Sequence, residues 1–261
     1  MQTIEVVANN PGLRVVGLAA GRNWRRVLEQ ARTLNVPKVA LWDAEAAWNA
    51  EQNKAYMNLE DLEILSGPEG VANLACLSAA GTVLHAVPGF LGVRLLLSSL
   101  ESGKQVALAG KEALVSAGEL VGPFVQQGNR ILPVDSEHSA IFQCIQGENP
   151  EDVDYVTLTA SGGAFRDLSK EELGTITPSQ ALEHPTWNMG PKITVDSATL
   201  FNKALEVMEA HYLFGLAYDK IKVAIHRESI VHSMVTFKDG STKAQLAKPD
   251  MRLPISYVRF S

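Results

Sequence analysis

Asp135 and Glu137 stand either side of Ser136 in the stretch PVDSEHSA, with His138 directly after. The apolar ILPV runs into them, so four consecutive polar side chains mark the point where a buried strand reaches a surface. On an extended segment residues two apart project the same way, so both carboxylates can face one ligand while Ser136 faces another. Paired carboxylates without soft ligands suit Mg²⁺ or Mn²⁺, which prefer oxygen donors. The same residues fit a helix N-terminus, because Asp and Ser are favoured caps and SEHSAIFQC can be a helix. Taken alone, the stretch favours the cap.

A third oxygen ligand would shift that balance, and SATLFNKALEVMEAHYLFGL offers one. Asn202 and Glu206 are four apart and share a helix face, with Lys203 beside them. Upstream lie Asp196 and Ser197. Lysine, asparagine and a serine hydroxyl together can clasp a phosphate; a single helical glutamate is otherwise just solvated. In TASGGAF, Ser161-Gly162-Gly163 forms a small-residue turn where backbone N–H groups can approach an anion, or an ordinary hairpin turn, which the segment alone favours. HPTWNMG, residues 184–190, reads as a loop whose Trp187 and Met189 can close over a ligand or tuck into the core. His226 and His232, on strand-like sequence, read as structural.

GLAAGRN, residues 17–23, sits where the second strand of a dinucleotide-binding fold ends. NAD-binding versions carry an acidic residue there for the ribose hydroxyls. This segment offers Arg22 instead, whose fixed guanidinium fork suits a phosphate and so NADP. A plain surface arginine on a strand-to-helix turn fits that segment equally well.

The elements that must position these groups alternate along the chain. RVVGLAAG, VPKVALWD, TVLHAVPG, KQVALAG and RILPVD read as strands, with helices at NWRRVLEQARTLN, FLGVRLLLSSLESG and KEALVSAGELVGPFVQQ between several of them. Such alternation predicts a parallel sheet covered by helices, with ligands at the carboxyl ends of the strands. Beyond Pro150 the texture changes. DVDYVTLTASGGAF, KITVDSA, IKVAIHRESIVHSMVTFKDGS and TKAQLA read as strands, with a hairpin at Lys238-Asp239-Gly240 and one long helix from about Ser197 to Leu216. The fold class is therefore α/β: a Rossmann-like domain lacking its first strand, residues 1–134, followed by an α+β catalytic domain, residues 135–261.

Composition narrows the function. The 261 residues carry a formal net charge of −6 and no basic run, which argues against nucleic-acid binding. Two cysteines, Cys76 and Cys144, make neither a disulfide scaffold nor a cysteine zinc site. The apolar stretch Val71 to Leu100 is interrupted by Asn73, His85, Pro88 and Arg94, so it reads as buried elements rather than a membrane span. With no signal peptide legible at the N-terminus, the expected location is the cytoplasm.

Several segments, in order and spacing, closely resemble 1-deoxy-D-xylulose 5-phosphate reductoisomerases: PVDSEHSAIFQ, TASGGAF, HPTWNMGPKITVDSATLFNKALEVMEA, IHRESIVHSMV and AQLAKPDMRLPI. The resemblance covers nearly the whole chain and is most specific from Leu132 to Pro254. It implies an NADPH- and Mg²⁺- or Mn²⁺-dependent enzyme that converts 1-deoxy-D-xylulose 5-phosphate to 2-C-methyl-D-erythritol 4-phosphate in the non-mevalonate isoprenoid pathway, working as a homodimer. It makes Asp135, Glu137 and Glu206 the metal ligands, the last also bordering the substrate. It puts Ser136 on a substrate hydroxyl, and Ser161, Ser197, Asn202 and Lys203 on the phosphate. His184, Trp187 and Met189 fall in a mobile loop over the substrate. Lys111, Glu137 and His184 act at the reacting centre, and Gly21, Arg22, Asn23, Lys111, Glu112 and Gly190 contact the cofactor.

Departures from the family pattern accompany the resemblance. A glycine-rich phosphate loop is expected immediately before Gln2 and a helical domain after Ser261, so the chain reads as a fragment, with a phosphosugar-binding remnant without turnover as the alternative. Gly110 in AGKE stands where asparagine is usual, VPGFLG from Val87 replaces a more usual small-residue turn, and Arg227 in IHRES stands where proline is usual.

Overall fold

The structure, a computed structural model, describes residues 2–126, 131–187 and 189–258. Its elements run α1 (Gln2–Ala8), β1 (Leu18–Ala20), α2 (Trp24–Leu34), β2 (Lys38–Leu41), α3 (Ala44–Asn53), β3 (Glu63–Ser66), α4 (Gly67–Ala75), β4 (Thr82–His85), α5 (Gly92–Glu101), β5 (Gln105–Leu108), α6 (Lys111–Gln126) and β6 (Ile131–Pro133). Then follow α7 (Ser136–Ile145), β7 (Val153–Ala160), α8 (Pro178–Ala181), α9 (Pro191–Ala198), α10 (Phe201–Phe214), β8 (Ile221–Ile225), β9 (Val231–Phe237), β10 (Thr242–Leu246) and α11 (Arg252–Tyr257). Two compact units emerge: residues 1–113 with 126–132, and residues 114–125 with 133–261. Helix α6 is shared between them along the chain, and its backbone kinks at Ala117.

In the first unit the strand–helix alternation produces two three-stranded sheets, β1-β2-β3 and β4-β5-β6, rather than one continuous sheet. The pairs β1/β2, β2/β3 and β4/β5 are parallel. Val39, Ala40 and Leu41 of β2 are fully buried, the mark of a strand covered on both faces. One cluster gathers Leu28, Ala31, Val39, Leu41 and Ala50 from α2, β2 and α3; another gathers Ala40, Val71, Leu74 and Leu95 from β2, α4 and α5. Burying each of the larger of these side chains contributes roughly 1.5–3 kcal/mol. Asn35 in the left-handed conformation ends α2, and the Asp43 carboxylate caps α3 by accepting the Ala46 N–H at 2.9 Å.

The second unit is built on a mixed sheet in the order β10-β9-β7-β8, antiparallel at β10/β9 and β9/β7 and parallel at β7/β8. The expected hairpin is present: Gly240, at φ +86°, turns β9 into β10, and Asp239 accepts the Ser241 N–H. Helices α7 and α10 cover the sheet through Ile141, Val156, Leu158, Ala210 and Val235. Among the described residues no helix is long and apolar enough to cross a membrane.

Three local expectations are corrected. KITVDSA is not a strand but lies in α9: Pro191 opens the helix, and the buried residues Thr194 and Ala198 are four apart, a helical spacing. The helix expected from Ser197 to Leu216 is two helices, broken at Leu200, whose φ of +59° no α-helix allows. PVDSEH is not extended beyond Asp135, because α7 starts at Ser136 and Glu137 lies in its first turn.

Candidate metal and phosphate site

Asp135 occupies the N-cap position of α7, yet its side chain makes no capping hydrogen bond. Its carboxylate, that of Glu137 one turn-start later and that of Glu206 on α10 converge, each offering an oxygen within 4.8 Å of the others. The helix geometry explains this. Beginning α7 directly at the end of β6 throws both acids of PVDSEH toward α10, whose buried face carries Glu206 and Glu209 among Leu205, Ala210 and Leu213. Glu206 is 1% exposed, so its charge must be compensated locally.

The compensation comes from Lys203. Its ammonium donates to Glu137 Oε1 at 2.9 Å, to Glu206 Oε2 and to the Thr159 carbonyl. Burial alone would lower the Lys203 pKa, but Glu137 and Glu206 overcome that and raise it above the usual lysine value. Asn202 Nδ2 donates to the other Glu206 oxygen, Oε1. Ser136 Oγ donates to Glu137 Oε2 at 2.5 Å. The donor set is therefore all oxygen and carries three carboxylates, two of which, Glu137 and Glu206, already hold a cation in the form of the lysine ammonium. These residues fit a hard divalent ion.

A second acidic group backs the first. Asp135, His138 and Glu209 also bring potential ligand atoms within 4.8 Å of one another. His138 reaches Glu209 through Nδ1, while its Nε2 lies 2.8 Å from the Glu206 carbonyl oxygen. Neither His138 nor Glu209 is singled out by sequence reasoning, although Glu209 follows Glu206 at helical spacing and His138 sits inside PVDSEH.

The remaining site residues lie around the C-terminal end of β7. No hairpin follows that strand. Ser161, Gly162 and Gly163 instead lead irregularly out of the strand, both glycines at positive φ, into a turn at residues 164–167. A Cβ on Gly163 would sit 2.3 Å from the Ser197 carbonyl oxygen, so this segment packs backbone to backbone against α9. His184 reaches the same segment, with Nε2 3.0 Å from Ser161 Oγ. The Trp187 ring lies 6.3 Å from that of His232, and Met189 is half-buried. Gly190 is the N-cap residue of α9, and its carbonyl accepts from Thr194 Oγ1. Arg227, in place of the expected proline, pairs with Asp167 at 2.5 Å.

In the first unit, Gly21, Arg22 and Asn23 follow β1. An added Cβ on Gly21 would meet nothing within 4 Å, leaving room for a ligand against the backbone. Asn23 caps α2 by accepting the Arg26 N–H. The Arg22 side chain is 87% exposed and held at Nε by Asp43, 3.0 Å away. Arg25 and Arg26 follow in the first turn of α2, where the helix dipole disfavours cations, an arrangement suited to an anion. Lys111 and Glu112 open α6, with Lys111 buried.

The departures at Val87 and Gly110 prove to be one feature. A Cβ at Gly110 would stand 2.7 Å from the Val87 carbonyl oxygen, and one at Gly92 would stand 2.7 Å from the His85 ring. His85 is buried between them, its Nε2 2.9 Å from the Gly92 carbonyl oxygen.

A parallel-stranded α/β unit carrying an exposed arginine beyond a strand, and a mixed-sheet unit carrying a three-carboxylate centre, define a two-unit enzyme built for a hard divalent cation. Residues 1–118 match the family 1-deoxy-D-xylulose 5-phosphate reductoisomerase, and residues 131–214 match the C-terminal domain of that family. The 1-deoxy-D-xylulose 5-phosphate reductoisomerase of Desulfitobacterium hafniense (strain DSM 10664 / DCB-2) is 48% identical over 259 residues, which is 98% of this chain and 67% of that protein. The chloroplastic enzyme of Mentha piperita is 49% identical over 260 residues, 98% of this chain and 55% of its own. A crystal structure of DOX-P reductoisomerase in complex with NADPH, fosmidomycin and magnesium superposes with a TM-score of 0.92 at 37% identity, covering 99% of this chain and 66% of that one. The enzyme of Zymomonas mobilis in complex with NADPH gives 0.90, also at 37% identity, over 99% of this chain and 66% of its own. The chain belongs to the 1-deoxy-D-xylulose 5-phosphate reductoisomerase family.

Proposed function

We propose that this chain carries out the reaction of its family, the NADPH- and divalent-metal-dependent conversion of 1-deoxy-D-xylulose 5-phosphate to 2-C-methyl-D-erythritol 4-phosphate in the non-mevalonate isoprenoid pathway. The observation that supports it most directly is the convergence of Asp135, Glu137 and Glu206, whose oxygens come within 4.8 Å across 71 residues of sequence. Residues 1–134 bind NADPH and residues 135–261 bind metal and substrate; within the first stretch, residues 114–125 and 133–134 fall in the second compact unit.

When bound, Mg²⁺ or Mn²⁺ polarises the substrate's ketone and hydroxyl oxygens as a Lewis acid, and NADPH supplies the hydride. Asp135, Glu137 and Glu206 hold the cation. Ser136 orients a substrate hydroxyl beside Glu137. Ser161, Ser197, Asn202 and Lys203 grip the phosphate, and binding energy gained there, away from the reacting carbons, goes into orientation. His184, Trp187 and Met189 lie on the loop that excludes water from the reactive intermediate. On the cofactor side, Gly21, Arg22 and Asn23 receive the adenosine 2′-phosphate, with Lys111 and Glu112 nearby. The working form is a homodimer in the cytoplasm, which light scattering and fractionation check.

The test is NADPH oxidation that depends on 1-deoxy-D-xylulose 5-phosphate, run together with Mn²⁺ binding measured by electron paramagnetic resonance. The proposal expects both for this chain and the loss of both in Glu206→Gln. Equal Mn²⁺ affinity in the two proteins would remove the three-carboxylate centre. Mn²⁺ binding without turnover would leave a phosphosugar-binding protein.

A further inference from the structure

Lys203 belongs by position with the phosphate-binding residues, yet its ammonium lies among the carboxylates. It contacts Glu137 Oε1 at 2.9 Å and Glu206 Oε2, and Asn202 takes the second oxygen of Glu206. A divalent ion held by Glu137 and Glu206 needs the same oxygen lone pairs and brings a second positive charge to the same spot. Ammonium and metal therefore compete. The third Lys203 contact, to the Thr159 carbonyl, already points along β7 toward Ser161. The Thr159 carbonyl stands two residues before Ser161, about 7 Å along β7 at the usual strand rise. Lysine is a compact charge on a flexible four-carbon stem, able to trade partners over that distance, which a rigid guanidinium does less readily.

We propose that Lys203 is a built-in cation that the metal displaces, and that its release toward the Ser161 turn couples metal binding to phosphate binding. Without metal, the ammonium neutralises the acidic cluster and is withheld from the phosphate. With metal, Lys203 and Asn202 both become donors for the substrate phosphate, which favours binding metal first and phosphosugar second. By linkage, a phosphate monoester must tighten metal binding by the same factor. This rests on Asp135, Glu137 and Glu206 being the metal ligands.

The experiment titrates Mn²⁺ by electron paramagnetic resonance into this chain, into Lys203→Met and into Glu206→Gln, with and without ethyl phosphate, after correction for the Mn²⁺ that ethyl phosphate binds in solution. Ethyl phosphate is expected to tighten Mn²⁺ binding to the unaltered chain several-fold. Lys203→Met is expected to bind Mn²⁺ at least about tenfold more tightly, because the ammonium's two charge-assisted contacts, to Glu137 and Glu206, no longer compete, and to show no response to ethyl phosphate. Unchanged or weaker Mn²⁺ binding in Lys203→Met overturns the proposal, as does a response to ethyl phosphate that survives the substitution. If Lys203→Met does not fold, by circular dichroism, the unaltered chain still decides, because absence of the ethyl phosphate response there overturns the coupling. Absence of Mn²⁺ binding to the unaltered chain, matching Glu206→Gln, removes the metal centre itself.

Discussion

His138 Nδ1 lies 3.3 Å from Glu209 Oε2, and neither side chain has any solvent exposure. The contact joins the first turn of α7 to the middle of α10, the two helices that carry the three converging carboxylates. Burial alone would lower the His138 pKa, but Glu209, then Asp135 and Glu206, raise it to about 9. The carboxylates around it favour the imidazolium, whose Nε2 donates to the Glu206 carbonyl at 2.8 Å while Nδ1 faces Glu209 at ion-pair distance. It fixes the backbone at Glu206 while leaving that carboxylate turned toward Glu137.

Removing one member of this pair should strand the other. Glu209→Leu is expected to cost about 1–3 kcal/mol, because buried His138 loses its main counter-charge and gives up its proton or leaves a donor unsatisfied. The double substitution His138→Leu with Glu209→Leu should cost less than the single one. Urea denaturation followed by circular dichroism measures both, and a single substitution costing less than about 1 kcal/mol would show that the pair carries no such charge.

His184 should be a neutral imidazole with its proton on Nε2. Its Nδ1 accepts the backbone N–H groups of Thr186 and Trp187 at 3.1 and 2.9 Å, so Nε2 is left to donate to Ser161 Oγ. Burial and then the Arg166 guanidinium hold its pKa below the ordinary histidine value of 6.5. A depressed folded-state pKa adds stability that is fully present above about 6.5 and lost as pH falls through the lowered value. Nitrogen-15 correlation spectra of the imidazole should report the Nε2–H form at pH 7. A proton on Nδ1, or a midpoint above 6.5, contradicts the assignment.

The asparagine expected from the resemblance should not fit at position 110. Gly110→Asn forces a Cβ against the Val87 carbonyl, a backbone atom that cannot rotate away. Overpacking of this kind costs about 1–3 kcal/mol, read as a lowered Tm. Substituting the Val87 side chain in addition should not restore the Tm, since the obstruction is main chain.

Arg22→Ala should weaken NADPH binding by roughly tenfold or more, the loss of a hydrogen bond to a charged group, while NADH binding stays the same. Asp43→Asn keeps a capping oxygen for α3 and removes only the charge that holds Arg22 at Nε. Titration with 2′,5′-ADP isolates the phosphate contact. Equal affinity in the unaltered chain and Arg22→Ala would remove the 2′-phosphate role.

How much of this could be read from the sequence depended on the range of the interaction. Strand–helix alternation identified the first unit because each element signals itself locally. The division into two sheets was not legible, since pairing is decided between elements. KITVDSA misled because Ile193, Thr194 and Val195 suit a strand, whereas Pro191 and the burial of Thr194 with Ala198 settle a helix. Asp135, Glu137 and Glu206 were found as acids with a spacing, but the extended geometry first used to align Asp135 with Glu137 does not occur. The residue order could not show that Lys203 faces the acids rather than an anion, or that His138 meets Glu209, because both depend on α7 packing against α10.

The abutment of Gly163 on the Ser197 carbonyl has a consequence for how this enzyme can drift. Ser161 and Ser197 sit on opposite sides of a seam with no side chain in it, so no substitution there can widen the gap gradually. A larger residue at 163 would push α9 bodily outward, and its serine with it. Retuning for longer or shorter phosphosugars must therefore come from the surrounding loop, while the spacing between these two hydroxyl-bearing segments stays constant.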